Sequence, residues 1–362
     1  MDSCSIWARD DGAGLNVGCN WAIVRLHVNP EYPRELDRRD LTSYGEARKL
    51  IHDFESVLKG CGLTIHPGSL LEDVCLSILE FHDKFEGVTP LNLRDDIRPV
   101  YSHALGLIDI VKRVNRLCSH GDFKNLVPHL RLMNTSSAGQ NVRAIGDDGS
   151  NKLFELFMAL VNLDAGNDVS IDDPNRSTGR NPDVLSTFDG VRWGFACKVL
   201  NSVSFTPLTM FDNLKKGVDQ IENSPAEVGC VVFNFKNVID HNVTWPITNS
   251  EEVKSGGEPK FAVWKEKELP VQILVSCAGE WHEQFEQMNS LPEIEKLFVG
   301  KKAIPAAFAF LQTTTAIRTS RGPLPTLIGV FVFMDLLRQN LLETRPDWRS
   351  VLNGLNNAMH HR

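Results

Sequence analysis

The chain has 362 residues, of which 42% are hydrophobic and 23% charged, which is the composition of a globular protein longer than one typical domain. Its formal net charge of −8 excludes a protein that coats nucleic acid through overall positive charge, so any nucleic-acid contact needs a local basic face. Its 8 cysteines are scattered without a C-x-x-C pair, which excludes the common zinc and redox motifs and favours a reducing compartment.

Membrane and export signals are not predicted. The first residues lack the basic start and apolar core of a signal peptide. The longest uncharged apolar run, near Leu324–Met334, is too short to span a bilayer. We therefore expect a cytoplasmic protein with no membrane partner.

The first third of the chain is predicted to be mainly helical. After an irregular start with one strand-like run at Trp21–Val28, apolar residues recur at three- and four-residue steps, the period of an amphipathic helix. The spacing predicts helices over 47–58, Leu70–Phe81 and Val100–Leu117. His129 and the other histidines of this region lack the spacing of metal ligands, so we expect them to pack or to face solvent.

A polar stretch, Asn134–Ser150, is predicted to separate this helical module from the rest of the chain, because it is rich in Ser, Gly, Asn and Asp. Acids and a hydroxyl at its end are placed to cap a helix by accepting from free amides. These are Asp147, Asp148 and Ser150. That helix is predicted to run to about Asp164 and to end near Gly166.

The remaining pattern alternates strands and helices, which predicts an α/β layer structure. A short strand at Val169–Asp172 precedes two β-rich runs, and a helix at Leu208–Asn223 precedes an apolar strand at Val228–Phe235. The buried stripe of that helix is predicted to be Leu208, Phe211, Leu214, Val218 and Ile221, with Gln220 off it. Further strands are predicted at Val271–Ser276, Ala306–Thr314 and Leu324–Phe333, and helices at Trp281–Phe298 and Asp335–Asn356.

The two β-rich runs, on either side of Asp189-Gly190, are typical of a hairpin with a two-residue turn. This turn sets Phe188 opposite Val191. Counting outward, Asp183 falls opposite Ala196, and Lys198 shares the face of Ala196 because side chains alternate along a strand. The hairpin thus places an acid and a lysine on one face, with a methyl group between them.

These residues resemble a known family. Pro182-Asp183 at the start of one strand, Ala196-Cys197-Lys198 at the end of the next and the helical acid Glu155 are similar to the signature of the PD-(D/E)XK nuclease superfamily. The resemblance covers about residues 148–240 and departs from the family at Ala196, where the second acid is expected. It implies a restriction-endonuclease-like α/β fold, with a mixed sheet flanked by helices and preceded by the mainly helical module.

The resemblance also implies a metal site and roles for its residues. Asp183 would be the main ligand of Mg²⁺ or Mn²⁺, the carbonyl of Cys197 a second ligand, and Glu155 an assisting ligand. Lys198 would act near the attacking water, and Gln220 matches a glutamine that some members carry on the following helix. The side chain of Cys197 is expected to point into the core, so we do not expect it to be a nucleophile.

Ala196 has three competing explanations, because a methyl group cannot ligate metal. Either an engineered change has replaced an acid with Ala196, or the natural protein is a degenerate member that binds without cutting. In the third explanation, another carboxylate such as Asp172 or Glu155 has taken over the role of metal ligand. We favour the first, because the sequence around Ala196 is otherwise intact.

The sequence therefore predicts three parts: a helical module over 1–140, a nuclease-like domain over 148–335, and a C-terminal helix and tail over 336–362. The expected activity is Mg²⁺-dependent endonuclease cleavage of nucleic acid, with DNA favoured, silenced in this chain by Ala196. The alternative is a non-catalytic nuclease-like module that binds nucleic acid or a protein partner. A second copy of the chain or another protein would join through the helical module, and fold analogy suggests phage defence.

Overall fold

The computed structural model describes residues 44–85, 96–175, 181–202, 206–320 and 322–360. All of them belong to one compact unit. The predicted strand at Trp21–Val28 lies outside the described residues. None of the described helices is long and apolar enough to cross a membrane.

A six-stranded mixed sheet forms the centre of this unit, with its strands in chain order. The strands are β1 (Val169–Ile171), β2 (Val184–Phe188), β3 (Val191–Val199), β4 (Val228–Asn234), β5 (Ala303–Thr319) and β6 (Gly322–Asp335). Strands β1, β2 and β3 pair antiparallel, β3, β4 and β5 pair parallel, and β5 and β6 pair antiparallel. The predicted α/β class with a mixed sheet is confirmed.

Helices precede the sheet and connect its strands. They are α1 (Tyr44–Gly60), α2 (Leu70–Phe85), α3 (Arg98–Leu117), α4 (Val127–Leu130), α5 (Gly149–Asp164), α6 (Pro207–Glu222), α7 (Ser250–Lys254), α8 (Glu268–Met288), α9 (Leu291–Phe298), α10 (Leu341–Thr344) and α11 (Pro346–His360). The predicted helical start of the chain is confirmed for α1, α2 and α3. The predicted order of helix, three strands, helix and strand is confirmed as α5, β1, β2, β3, α6 and β4.

The alternation of side chains along β3 divides the core into two layers. Phe195 and Cys197 belong to the hydrophobic cluster that contains residues of α1, α3, α5 and α11. Ala196, between them in the sequence, belongs to the cluster formed with α6, α8 and α9. Helices therefore cover both faces of the sheet: α6, α8 and α9, which connect the parallel strands, cover one face, and α1, α3, α5 and α11 cover the other.

The polar stretch Asn134–Ser150 is partly buried, and hydrogen bonds tie it to the rest of the fold. Asn134 accepts a hydrogen bond from His66 N at 2.9 Å. Asn141 donates to Ser102 O at 2.7 Å and to Thr314 Oγ1 at 2.8 Å, which ties α3 to β5. This stretch thus joins the helical region to the sheet. The predicted division of the chain at 140–148 stays a prediction.

The predicted capping of α5 is wrong for the three side chains proposed. Asp148 occupies the cap position without a side-chain hydrogen bond. Asp147 instead accepts from Ser137 N at 2.7 Å, within the preceding loop. The hydroxyl of Ser150 is buried and meets no hydrogen-bond partner among the described residues.

Three predicted elements in the second half of the chain differ from those of the structure. The predicted strand at Val271–Ser276 is part of the helix α8, in which Val271, Leu274, Val275 and Ala278 are buried at helical spacing. The predicted helix Trp281–Phe298 is two helices, because Ser290 and Glu293 form a capping box that starts α9 anew. The predicted helix from Asp335 begins later, since Asp335 ends β6 and α10 starts at Leu341.

Strand β6 is an edge of the sheet, and the chain protects it. The Asn356 side chain accepts from Phe331 N at 2.9 Å and donates to Phe331 O at 3.0 Å. Pro323 and Pro325 lie an even number of residues from Phe331, so they fall on the same outward edge, where they offer no N–H. This edge is therefore poorly suited to pairing with another strand.

Candidate active site

The β2–β3 hairpin brings the predicted acid and lysine together. Asp189 and Gly190 have φ angles of 50° and 81°, as a type I′ turn requires. The predicted register is confirmed as far as the pair Val184 and Phe195. Asp183 directly precedes that pair, and its carboxylate accepts a hydrogen bond from Cys197 N at 2.7 Å.

Lys198 lies between Asp183 and α6. Its Nζ is 3.6 Å from Asp183 Oδ2 and donates to Gln220 Oε1 at 2.5 Å and to Cys197 O at 3.2 Å. Gln220 is 8% exposed, so its predicted position off the buried stripe is wrong, and Leu208, predicted on that stripe, is 62% exposed. The contact with Lys198 gives the reason: the Gln220 side chain faces the sheet and accepts a hydrogen bond from the Lys198 ammonium group.

Glu155 reaches the same place from α5, on the other face of the sheet. It is 3% exposed, and its carboxyl group lies close enough to that of Asp183 for each to act on the pKa of the other. Lys152 Nζ lies 2.8 Å and 3.1 Å from its two oxygens, and His129 Nε2 lies 3.2 Å from Oε2. The structure therefore brings together all four predicted polar side chains and adds two that the sequence analysis missed.

The two carboxyl groups favour protonation or a bound cation. Burial raises the pKa of Asp183 to about 6, with the charge of Lys198 opposing and that of Glu155 adding to the rise. Burial also raises the pKa of Glu155, against the effect of Lys152. Ionising both of two neighbouring buried acids costs free energy unless a positive charge lies between them.

Ala196 is fully buried on the face covered by α6. A Cβ at Gly217 would lie 3.2 Å from the Ala196 Cβ and 2.6 Å from Val231 Cγ2, so the helix and the strand are in close contact here. The methyl group of Ala196 thus fits a tightly packed position and supplies no ligand.

Cys197 points to the opposite face, as expected, and packs in the cluster that contains Trp193 and Phe195. Burial raises the pKa of its thiol well above the ordinary range, which suits a packing role and not a nucleophile. Its carbonyl, which the resemblance implies as a metal ligand, accepts from Lys198.

Metal ligands are sparse in this arrangement. Among the residues that the structure describes, no three His, Cys, Asp or Glu side chains lie close enough together to hold a metal ion. Asp172 pairs with Asp183 only through its backbone, with its N–H donating to Asp183 O at 3.2 Å. The donors that the resemblance implies are therefore limited to two carboxylates, those of Glu155 and Asp183, and the carbonyl of Cys197.

No family model, no curated protein and no solved structure matches this chain. The function is therefore inferred from the geometry of the site.

Proposed function

We propose that this chain is a metal-dependent nuclease of the PD-(D/E)XK type that acts on nucleic acid, with DNA favoured, and that Ala196 silences its cleavage step. One observation carries the proposal: Glu155, Asp183, Lys198 and Gln220 come from four separate elements and meet where β2 begins beside β3. If the motif matched only by chance, these four side chains would not be expected to come together. A restriction-endonuclease-like fold is part of the same proposal.

Glu155, Asp183 and the carbonyl of Cys197 would hold Mg²⁺ or Mn²⁺. Such a cation acidifies a bound water and polarises the phosphate. Lys198 is placed to stabilise negative charge that develops on the phosphoryl oxygens, and Gln220 fixes the direction of its ammonium. The cytoplasmic setting and the role in phage defence belong to this proposal and rest on the cysteine pattern and on fold analogy.

The position of Ala196 supports a loss of cleavage with the fold retained. A carboxylate there would lie beside Asp183, while a methyl group leaves the contact between α6 and the sheet intact. Asp172 is a weaker candidate than Glu155 to replace the missing acid, because it meets Asp183 through its backbone N–H.

A second candidate function is a non-catalytic module that binds nucleic acid or a protein partner. It is favoured by one observation: Lys152 and Lys198 already lie against the two carboxylates. The helical region preceding α5 would offer the surface for a second copy or a protein partner.

Restoring the acid distinguishes the two candidates. We expect Ala196→Asp to cut plasmid or single-stranded DNA with Mg²⁺ and Ala196→Asn, which matches it in shape, to remain inactive. Asp is preferred to Glu because the position is tightly packed. Adding Lys198→Ala to the Asp variant should abolish cleavage.

Thermal melts of each variant control for folding. If a folded Ala196→Asp variant neither cuts nor binds Mg²⁺, the nuclease proposal is wrong. Binding of DNA by the unchanged chain in EDTA would then favour the non-catalytic module.

A further inference from the structure

Glu155 is held by an ion pair within its own helix. Lys152 lies one turn earlier on α5, and its Nζ contacts both carboxylate oxygens, at 2.8 Å and 3.1 Å. His129 Nε2 lies 3.2 Å from Oε2. Both oxygens of the implied metal ligand are therefore already engaged.

Both buried carboxylates of the site already have an ammonium group beside them. Glu155 and Asp183 supply two carboxylates, and Lys152 and Lys198 supply two ammonium groups in contact with them. Asp172 also lies close enough to act on Lys152 electrostatically. A divalent cation entering this set would meet an ammonium group at Glu155 before it met a free carboxylate.

Lys152 is also the member of the cluster whose charged group can move into solvent. Its side chain is 25% exposed, against 4% for that of Glu155. A lysine stem can stay packed while its charged head moves into water. Release of Glu155 therefore requires no change in the helix.

We propose that Lys152 is a built-in counter-ion that holds Glu155 in place of a divalent cation, so that a metal binds at Glu155 and Asp183 only by displacing its ammonium group. This inference rests on the metal site of the proposed function and adds a residue that limits its affinity. Lys152 acts as a competitor of the metal and is a positioning residue for Glu155.

The test is the affinity for Mn²⁺, measured by titration calorimetry and by electron paramagnetic resonance of the free ion at fixed ionic strength. We expect Lys152→Gln to bind Mn²⁺ about tenfold or more tightly than the unchanged chain, because one cation beside a carboxylate shifts proton affinity by a comparable factor. Lys152→Arg keeps the charge and should keep the affinity. Lys152→Met, which keeps the apolar stem, replaces the Gln variant if that variant does not fold.

Lys254→Gln is the matched control. Lys254 forms an ion pair with Glu251, also three residues away on a helix, and its side chain is 70% exposed. This variant changes the net charge equally and should leave the Mn²⁺ affinity unchanged. Adding Asp183→Asn to Lys152→Gln should remove the gain, which locates the ion at this site.

Equal or weaker Mn²⁺ binding by folded Lys152→Gln and Lys152→Met overturns the counter-ion proposal. If the unchanged chain still binds Mn²⁺ through Asp183, the proposed function stands. If none of the variants binds Mn²⁺, the counter-ion proposal is also wrong, and the cleavage assay of Ala196→Asp decides the proposed function separately.

Discussion

Asp183 connects every part of the candidate site, and its environment opposes its own charge. Its carboxylate accepts a hydrogen bond from Cys197 N, lies 3.6 Å from the Lys198 ammonium group and is close to Glu155, yet Asp183 is only 5% exposed. The cost of burying a carboxylate beside another acid exceeds what one lysine 3.6 Å away offsets, as the raised pKa shows. The charged form of Asp183 therefore destabilises the folded chain.

This cost gives a pH dependence of stability. The pKa of Asp183 is raised from 3.8 to about 6, so the folded chain keeps a proton between those values that the unfolded chain has lost. The contribution of this group to the free energy of unfolding is therefore full below pH 4 and is lost as the pH rises through 6. Asp183→Asn should gain about 1–3 kcal/mol relative to the unchanged chain between pH 4 and pH 8.

Urea unfolding at both pH values measures this difference. Asp212→Asn, an exposed aspartate on α6, is the control and should show no such gain. An Asp183→Asn variant whose stability difference is the same at pH 4 and pH 8 would show that Asp183 ionises normally in the folded chain.

At the residue scale, part of the site could be predicted from the sequence because it depends on local geometry. A two-residue turn fixes a register, so the relation of Asp183 to Ala196 and Lys198 follows from counting. Lys152 had a signal that was not used, since a lysine three residues before an acid on a helix pairs with it. His129 had none, because its contact with Glu155 depends on how α4 packs against α5.

At the scale of elements, the contact between α6 and the sheet decides whether Gln220 reaches Lys198. Gly217 permits that contact, because a Cβ there would lie 2.6 Å from Val231 Cγ2. Gly279, in α8, has no atom within 4 Å of the same added group. Two glycines in helices thus differ only in what surrounds them.

Gly217→Ala and Gly279→Ala should therefore change stability in opposite directions. Alanine favours a helix over glycine by about 1 kcal/mol, so Gly279→Ala should raise the free energy of unfolding by about 0.5–1 kcal/mol. Gly217→Ala should lower it by about 1 kcal/mol or more, because overpacking outweighs that gain. Urea unfolding of both variants measures the pair. A Gly217→Ala variant as stable as Gly279→Ala would contradict the close packing of α6 on Ala196.

The prediction of elements from the sequence failed where a short apolar run has two interpretations. Val271–Ser276 has the length and β-branched content of a strand, but Leu274 and Ala278 continue its apolar spacing into the helix α8. The polar stretch Asn134–Ser150 failed differently. Its composition is that of a linker, but tertiary hydrogen bonds such as those of Asn141 to Ser102 and Thr314 hold it against the fold.

At the scale of the whole molecule, one buried arginine joins the three predicted parts of the chain. The side chain of Arg113, on α3, is 1% exposed and pairs with Asp164 at the end of α5 and with Asp109 at 3.4 Å. It also donates to Ala358 O, on α11, at 3.0 Å. Gln312 of β5 donates to Asp109 at 3.3 Å and extends the network to the sheet.

Arg113→Met should destabilise the whole unit as one body. Removing one partner leaves the carboxylates of Asp109 and Asp164 buried with less compensation, which costs about 3–5 kcal/mol. Arg116→Met is the matched control, because Arg116 pairs with the same Asp164 at 2.7 Å but its side chain is 40% exposed. Its loss should be about 1 kcal/mol or less.

Far-UV circular dichroism and tryptophan fluorescence during urea unfolding measure both the size of the loss and its cooperativity. We expect the two signals of Arg113→Met to change in one coincident transition at lower urea, because α3, α5 and α11 share one hydrophobic cluster with the sheet. Two separate transitions would show that the helical region unfolds apart from the sheet, as the division at 140–148 predicts. In that case the buried contacts of Arg113 would be a docking surface between domains and not part of a common core.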